Sequence, residues 1–435
     1  MKKILLKILT ACLKKIAALT ISKYKPSIVG VTGNVGKTST KTAVFQVLSS
    51  ERKVRTASKN FNNELGLPTT IIGDFKDTDE KLFWPKVLFR GLSQLVIKNK
   101  NYPEMIVLEY GIDRPGDMSY LLNIARPDVG VITAIGDIPV HVEFFDGPDG
   151  IAKEKSKLIA QLPSTGFAIL NADDSHLDFF KEQTRGHVIT YGFEKNSDVK
   201  ITAFSNEVDD ENGTGFISFK INYGGSMVPV RMEGMVGHSA AYAAGAAGAV
   251  GLIFGMNLVK IAETLNKYKN PPGRERVIKG IKNTAIIDDS YNASPQAMEE
   301  ALGTMKNIKA KRKIAVLGDM LELGHHTLEA HRKIGRLTPK SADILITVGQ
   351  RAKSIAEEAL KNGLDKRNVF STENINEAAE FLKNTLKKGD LVLIKGSQSV
   401  RLEKVTKQIM DDPLSAKDLL VRQSDAWLAK PGMYE

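Results

Sequence analysis

The first 26 residues carry an amphipathic helical pattern that ends at Pro26. Apolar residues recur at helical spacing with lysines on the other side; they are Leu5, Leu9, Leu13, Ile16 and Leu19. Lysines interrupt this run, which argues against a signal peptide, and it is shorter than the about 20 apolar residues that cross a membrane. Two interpretations stay open for residues 1–25: a helix docked on the body, or a helix in peripheral contact with an anionic membrane.

From residue 27 onwards, short apolar runs alternate with helical patterns. "PSIVGVTG" predicts a strand, "KTSTKTAVFQVLSS" predicts the helix after it, and "PEMIVLEYG" and "RPDVGVITAIGD" predict further strands. Such alternation predicts a parallel sheet. Residues 199–236 show a period of two instead, which predicts a small antiparallel β insertion. "SAAYAAGAAGAVGLIFG" predicts a buried helix of small residues.

The C-terminal part repeats the alternation with four more apolar runs, "TAIIDD", "KIAVLGD", "ADILITVG" and "GDLVLIKG". We expect an α/β chain: a phosphate-loop ATPase domain with a parallel sheet, then a Rossmann-like domain joined to it by a hinge at "NPPGRER". The absence of G-x-G-x-x-G argues against NAD. The predicted segments are the helix at 1–26, the ATP-binding domain at 27–272, the Rossmann-like domain at 273–412 and an extension at 413–435.

Composition narrows the functional classes. The chain has 435 residues, 42% of them apolar, and a single cysteine, Cys12, which fits a reducing cytoplasm. The net charge of +11 is unevenly distributed: residues 1–25 hold seven lysines and no acid, which leaves +4 on the other 410 residues. The body has no basic stripe with interleaved aromatic residues, so we predict no nucleic-acid partner.

The stretch "VTGNVGKTST" (31–40) resembles a phosphate-binding loop whose first glycine is displaced from position 31 to Gly33. A strand before the loop and a helix after it would turn backbone N–H groups toward phosphates. No N-K-x-D motif follows, so ATP is predicted rather than GTP. The predicted nucleotide contacts are Gly33, Asn34, Val35, Gly36, Lys37, Thr38 and Ser39.

Three residues after the loop are candidates for metal or catalytic chemistry. Glu109 ends an apolar strand beside the loop, where a carboxylate is well placed to bind Mg²⁺. His141 follows a second strand, and Lys155 lies on the next helix. Taken alone, such a histidine is more often a satisfied or surface residue, and such a lysine is more often part of a solvated face.

In its loop at 31–40 and in Glu109, His141 and Lys155, the chain resembles members of the Mur ligase family. These are ATP-dependent amide ligases that build the peptide of peptidoglycan. The family's T-G-x-x-G-K-T loop is matched at 32–38, and the resemblance runs from about 27 to about 410. Six further motifs are similar to the branch that joins D-alanyl-D-alanine to a UDP-muramoyl tripeptide: "NNELGLP" (62–68), "EYGIDRPGDMSYL" (109–121), "ILNADD" (169–174), "IIDDSYNASPQAM" (286–298), "AVLGDMLELG" (315–324) and "GDLVLIKGS" (389–397).

The resemblance implies a catalytic set and a metal site. Lys37 would grip the phosphates, Thr38 and Glu109 would bind one Mg²⁺, and His141 would help to bind a second. Lys155 matches the family's carbamylated lysine, 14 positions after the histidine. Lys37, His141 and Lys155 would therefore be catalytic, with Thr38, Glu109, His141 and carbamylated Lys155 as metal ligands.

Other residues would bind nucleotide or substrate by the same resemblance. Arg274 and Asp289 match positions that close the C-terminal domain over ATP, and Asn292 is a candidate for that site or for the amine. Asn62 and Asn63 would contact the substrate. The implied enzyme is a cytoplasmic monomer acting on a muramoyl-peptide precursor and D-Ala-D-Ala.

The chain also departs from the family pattern. The branch usually begins with a UDP-sugar-binding domain of roughly 80–100 residues, whereas about 26 residues precede the first strand here. We therefore expect a differently held, UDP-free or lipid-carried substrate. Ser239 and Tyr242 replace two adenine-binding asparagines, and we favour helix packing over purine stacking for Tyr242. Gln398 stands where a basic residue is usual. Two alternatives remain: a folylpolyglutamate-synthase-like ligase with another substrate pair, and a membrane-associated nucleotide-binding scaffold.

Overall fold

A computed structural model describes residues 2–57, 61–75, 82–209 and 212–435. Within these ranges two β-sheets, one of nine strands and one of six, are each flanked by helices. The α/β class predicted from the alternating pattern is confirmed. All strands of the first sheet come from residues 27–233 and all strands of the second from 276–395. The domain limits themselves stay a prediction.

The first sheet is mostly parallel and becomes antiparallel at one edge. Its strands are β1 (Ser27–Thr32), β2 (Val54–Thr56), β3 (Met105–Glu109), β4 (Val129–Ile132), β5 (Phe167–Asn171), β6 (His187–Gly192), β7 (Val199–Asp209), β8 (Thr214–Tyr223) and β9 (Ser226–Glu233). Their order is β2-β3-β1-β4-β5-β6-β7-β8-β9. Strands β7, β8 and β9 pair antiparallel, so the predicted insertion extends the main sheet.

Nine helices of the described chain accompany the first sheet. They are α1 (Lys2–Tyr24), α2 (Lys37–Ser49), α3 (Gly66–Ile72), α4 (Phe83–Val96), α5 (Asp117–Leu122), α6 (Gly147–Ala160), α7 (Leu177–Gln183), α8 (His238–Ile253) and α9 (Leu258–Leu265). The predicted small-residue helix is α8, which is largely buried against α2. A Cβ atom on Gly251 would lie only 2.9 Å from Val47 of α2. Small residues therefore let α8 approach the helix that begins at the phosphate loop.

Helix α1 is docked on the body through its second half. Leu13, Ile16 and Ala17 are buried against α3 and α4. A Cβ atom on Gly91 of α4 would lie 2.6 Å from Ile16, and the Tyr24 hydroxyl donates a 2.9 Å hydrogen bond to a carbonyl of α4. The docked interpretation therefore holds for this half. Across the described residues, every helix is too short or too polar to cross a lipid bilayer.

The second sheet is parallel except at one edge. Its strands are β10 (Arg276–Gly280), β11 (Thr284–Asp289), β12 (Arg312–Gly318), β13 (Ile344–Val348), β14 (Val369–Thr372) and β15 (Asp390–Lys395). Their order is β10-β11-β15-β12-β13-β14, and β10 runs antiparallel to β11. The sequence did not predict β10 or β14, because both lack a continuous apolar run: β10 contains an exposed Lys279, and β14 (VFST) has no fully buried residue.

The helices of this half cover both sheet faces and extend to the end of the chain. They are α10 (Pro295–Asn307), α11 (Thr327–Leu337), α12 (Lys353–Lys361), α13 (Ile375–Thr385), α14 (Glu403–Ile409), α15 (Ala416–Leu419) and α16 (Asp425–Leu428). The predicted extension at 413–435 folds back on this half. Arg422 donates to the buried Glu403, and the Tyr434 hydroxyl donates to Asp319 at 2.6 Å.

One buried carboxyl in the second sheet is incompletely paired. Asp288 is fully buried in β11, and its Oδ1 atom accepts a 3.0 Å hydrogen bond from Thr406. Its Oδ2 atom has no hydrogen-bonding partner among the described residues. Burial raises the pKa of Asp288 to about 6, because the charged form loses its hydration.

We predict that Asp288→Asn stabilises the protein increasingly as the pH rises. The folded protein keeps the Asp288 proton up to about pH 6, whereas the unfolded chain releases it near pH 4, so the wild type loses stability between these values. The variant should gain up to about 3 kcal/mol on the wild type across this range and stay level above it. Urea unfolding at a series of pH values measures this difference. Asp178→Asn, at an exposed carboxyl, is the control, and a difference independent of pH would contradict the prediction.

Candidate functional site

The loop between β1 and α2 requires glycine at position 33. Gly33 has φ +146° and Gly36 has φ +84°, conformations that side chains disfavour. A Cβ atom on Gly33 would lie 1.9 Å from the Thr133 hydroxyl oxygen. That hydroxyl donates a 2.6 Å hydrogen bond to the Val35 carbonyl, fixing the loop against the end of β4. The displaced glycine is thus demanded by close contact with the neighbouring strand.

The backbone N–H groups of the loop fall into two sets: some are hydrogen-bonded within the protein, and those at the start of α2 are available to a ligand. The N–H groups of Asn34 and Val35 both donate to the Ala134 carbonyl, at 2.7 and 3.1 Å. Their role as phosphate contacts stays a prediction that these hydrogen bonds do not favour. Helix α2 begins at Lys37, so the N–H groups of its first turn lack intrahelical acceptors and suit an anion. Ser39 is buried in that turn, and its carbonyl accepts from Tyr268.

Lys37 lies across the loop. Its ammonium donates to the carbonyls of Gly33 and Asn34, at 2.9 and 3.2 Å. Burial lowers the pKa of Lys37, and the charge of Glu109 partly counters that effect. The ammonium is therefore held at the loop's mouth, where it can neutralise phosphate charge.

Glu109 is the centre of the polar contacts beside the loop. It ends β3 and is 3% exposed. Thr38 donates to its Oε2 atom at 3.0 Å, Asn62 donates to its Oε1 atom at 3.2 Å, and the Lys41 ammonium lies 3.6 Å from Oε2. Burial acts to raise the pKa of Glu109, but the charges of Lys41, Lys37 and Arg274 outweigh it and keep the pKa below its usual value. Glu109 is therefore ionised.

Arg274 connects the C-terminal half to this cluster. Its guanidinium donates a 2.9 Å hydrogen bond to the Thr38 hydroxyl and lies 4.1 Å from the centre of the Tyr291 ring. The segment that carries it leads from α9 into β10. The predicted hinge thus places a cation directly at the start of α2.

His141 joins the two halves at a second point. Its backbone has φ +68°, and its Nδ1 atom lies 2.9 Å from a carboxylate oxygen of Glu322, in the "LGDMLELG" motif. Its Nε2 atom lies 3.4 Å from Asp113. The hydrogen bond to His141 lowers the pKa of Glu322 below its usual range. Sequence reasoning identified the histidine but missed both carboxylates.

Lys155 is a buried amine on α6. It is 3% exposed, and its ammonium forms neither a hydrogen bond nor an ion pair with any residue that the structure describes. Burial lowers the pKa of Lys155 well below its usual value, and the charge of Lys37 lowers it further. Asp113 acts on both lysines in the opposite sense, so these groups share one neighbourhood. A neutral amine fits this environment best.

The remaining predicted contacts serve local structure. The Lys395 ammonium donates to Asp289 at 2.6 Å and to the Asn292 carbonyl at 3.1 Å. The Asn292 side chain accepts a 3.3 Å hydrogen bond from the backbone of Gln398. Asn63 accepts hydrogen bonds from the backbone at the start of α3. Nucleotide or substrate contacts by Asp289, Asn292, Asn62 and Asn63 stay predictions.

A cavity of about 240 Å³ opens beside the loop, between the two halves. Its wall includes Ser239 and Tyr242 of α8. Ser239 donates a 2.6 Å hydrogen bond to Glu275, and the Tyr242 ring packs edge-on against Phe193; the choice between packing and purine stacking for Tyr242 stays a prediction. Residues from the ends of β4 and β5 and from α10 complete the wall, among them Thr133, Asn171, Asp173, Gln296 and Glu300. The "ILNADD" motif at the carboxyl end of β5 was a signal for this wall, because the carboxyl ends of parallel strands share one edge.

The oxygen donors beside the loop suit Mg²⁺. An ionised carboxylate, Glu109, and a hydroxyl, Thr38, lie within 3.0 Å of each other. No cluster of three or more histidine, cysteine or acidic side chains suited to a metal occurs in the described part of the chain. That is consistent with Mg²⁺, which is commonly held by one or two carboxylates together with substrate phosphates.

The fold and the site define a phosphate-loop nucleotide enzyme with a cleft between two α/β halves. Family models described as "Mur ligase middle domain" and "Mur ligase, glutamate ligase domain" match residues 90–250 and 273–398. The UDP-N-acetylmuramoyl-tripeptide--D-alanyl-D-alanine ligase of Bacillus subtilis (strain 168) is 30% identical over 406 residues, 93% of this chain and 80% of that protein. The chain belongs to the Mur ligase family. It is an ATP-dependent ligase.

Solved structures agree with this assignment. The MurF ligase of Thermotoga maritima in complex with ADP is 26% identical, with a TM-score of 0.74 over 92% of this chain and 83% of that one. MurF from Acinetobacter baumannii is 24% identical and shares the fold, with a TM-score of 0.75 over 92% of this chain and 80% of that one.

We predict that Gly33→Ala abolishes measurable ATP turnover. The added Cβ atom would collide with Thr133 and disfavour the backbone conformation, so the loop would lose its shape. Gly303→Ala in α10 is the matched control, since a Cβ atom there meets nothing within 4 Å; it should keep turnover and gain up to about 1 kcal/mol of stability. ATP binding by calorimetry and ADP release measure the effect. Unchanged turnover in Gly33→Ala would contradict this account of the loop.

Proposed function

We propose that the protein joins D-alanyl-D-alanine to a muramoyl-peptide precursor, with hydrolysis of ATP, in peptidoglycan synthesis. The observation that carries the proposal is the contact chain from Arg274 through the Thr38 hydroxyl to ionised Glu109 beside Lys37. This chain brings together at one loop the residues that we propose to bind phosphate, to bind metal and to hold the two halves together. The substrate pair comes from the names of the similar ligases. We propose further that the enzyme is cytoplasmic and monomeric.

The chemistry takes two steps. A substrate carboxylate attacks the γ-phosphorus of ATP, the bond to the ADP oxygen breaks, and an acyl phosphate forms. The amine of the dipeptide then attacks the acyl carbon, the bond to phosphate oxygen breaks, and the amine nitrogen loses a proton. Lys37 offsets charge on the transferring phosphoryl group, and Arg274 holds the C-terminal half against α2. Enclosure between the halves keeps water from the acyl phosphate.

Two Mg²⁺ ions complete the proposed site. Thr38 and Glu109 would hold the first, and His141 with a carbamate on Lys155 would hold the second; bound Mg²⁺ supplies positive charge to the transferring phosphoryl group. The carbamate is supported by the burial of Lys155 and its lack of a partner in the described chain. A neutral lysine can add CO₂, and the resulting anionic oxygens suit Mg²⁺ whereas an ammonium repels it.

A panel of substrates tests the function. We expect phosphate release only when ATP, D-Ala-D-Ala and a muramoyl tripeptide are all present, and the peptide should be offered with and without UDP. Lys37→Ala should abolish release because it removes charge from the phosphate site, whereas Lys53→Ala, at an exposed lysine, should not. Release with a folate and glutamate instead would establish the alternative ligase. ATP binding without turnover on any pair would establish the scaffold.

Lys155→Ala should cut turnover at least about a hundredfold while ATP binding survives through the loop. A short carboxylate such as acetate should restore part of the rate by supplying the missing anionic oxygens. Lys153→Ala is the control, because that lysine lies on the same helix and is exposed. A bare amine at Lys155 in an active crystal with Mg²⁺ and ATP would defeat the carbamate. Full activity of Lys155→Ala would defeat any catalytic role.

A further inference from the structure

Helices α1 and α4 expose an unusual number of apolar side chains. On α4, a stripe with helical spacing faces solvent: Phe89 is 77% exposed, Leu92 55% and Val96 84%. At the start of α1, four apolar residues within five positions are exposed, namely Ile4, Leu5, Leu6 and Ile8. Clusters of exposed apolar residues mark surfaces that bind a partner or a membrane.

The two helices lie side by side and run in the same direction. Ile16 of α1 lies against Gly91 of α4, and Tyr24, about two turns further along α1, donates to the carbonyl of Gln94. Lys23 donates to the carbonyls of Gln94 and Leu95 and so caps the end of α4. The two helices form one layer of the body, and we call the exposed side of this layer, together with the exposed start of α1, the α1–α4 face.

The formal net positive charge of the chain resides in the two segments that carry these helices. Residues 1–25 contain seven lysines, and residues 82–103 contain four basic residues, while neither segment contains aspartate or glutamate. These eleven positive charges equal the formal net charge of the complete chain, +11, so the charges of all other residues sum to zero. Several of these basic residues are exposed next to the apolar strips, among them Lys7, Lys15, Lys98 and Lys100.

We propose that the α1–α4 face docks on the surface of an anionic lipid bilayer. Exposed apolar side chains would enter the boundary between headgroups and acyl chains, and the lysines would meet the lipid phosphates. A second copy of the chain is a poor occupant, because two such faces would repel each other. Nucleic acid would use the lysines but leave the apolar strips without a partner. A lipid surface satisfies both properties at once.

The inner side of the layer formed by α1 and α4 is connected by contacts to the candidate site. Helix α1 packs on α3, and the backbone at the start of α3 donates to Asn63. The preceding Asn62 donates to Glu109. The layer that carries the α1–α4 face is thus connected through α3 to the Asn62–Glu109 contact. The docking proposal depends on the exposed residues alone and stands whether or not the proposed substrates are correct.

Vesicle flotation of the full chain tests the proposal. The protein should float with vesicles of phosphatidylglycerol and phosphatidylcholine, and not with phosphatidylcholine alone. The triple variant Leu5→Ser, Phe89→Ser and Val96→Ser should bind at least about tenfold more weakly, because it removes the inserted apolar area. Leu414→Ser is the control, since Leu414 is 91% exposed in another part of the molecule; it should bind as the wild type does.

Reversing the charge of lysines on the α1–α4 face separates the electrostatic contribution to lipid binding from the apolar one. Lys7→Glu with Lys98→Glu and Lys100→Glu should weaken binding at least about a hundredfold, at about fivefold for each lysine lost. The matched control reverses three exposed lysines elsewhere, Lys195, Lys309 and Lys340. ATP binding and melting temperature should be unchanged in all variants, which shows that they fold. Equal flotation with neutral vesicles, no flotation of the wild type, or binding that the α1–α4 variants leave intact would overturn the proposal. So would dimerisation through this face in place of lipid binding.

Discussion

The site depends on keeping one buried carboxylate charged. Glu109 lies almost entirely out of water, where an isolated charge is costly. Three cations and two hydrogen-bond donors surround it, and they come from distant parts of the chain. Removing one partner from such a buried cluster leaves charge uncompensated, which typically costs several kcal/mol. Charge compensation and hydrogen bonding around Glu109 therefore hold the start of α2, the Asn62 segment and the hinge together.

The same electrostatics connect the two halves of the molecule. Arg274 reaches the start of α2, and Glu322 of the C-terminal half meets His141 of the first half. Both contacts lie at the cleft that contains the loop and the cavity. Because a cleft of low dielectric strengthens each electrostatic interaction inside it, these two contacts hold the halves together more firmly than exposed ion pairs would.

Packing supplies the second constraint. Helix α2 must keep its first turn at the loop, and the small residues of α8 let the two helices approach closely behind it. The strand ends that follow β1, β3, β4 and β5 all meet at one edge of the sheet. Side chains separated by more than a hundred residues therefore line one cavity. The position of the cleft follows from this parallel arrangement.

Local pattern determined much of this protein. Continuous apolar runs specified several buried parallel strands, among them β1, β3, β4 and β11, but not β2, β5, β6 and β14. Period-two alternation specified the antiparallel edge, and the glycine spacing specified the loop, because each of these patterns depends on neighbouring residues. Lys37, Thr38 and Glu109 were identifiable for the same reason: the first two come after a recognisable strand, and Glu109 ends one.

Only the tertiary structure decided which of these residues meet. Lys41 and Asp113 carry no local signal, and their roles arise from proximity to Glu109 and His141. The Thr133 contact that demands glycine at 33 joins separate strands, and the edge strand β10 is fixed by pairing with β11. The helix pattern of residues 1–25 allowed two environments, and packing on α3 and α4 buried one side while leaving the other exposed. Burial and charge compensation are set by residues distant in sequence, which is why the sequence alone did not contain them.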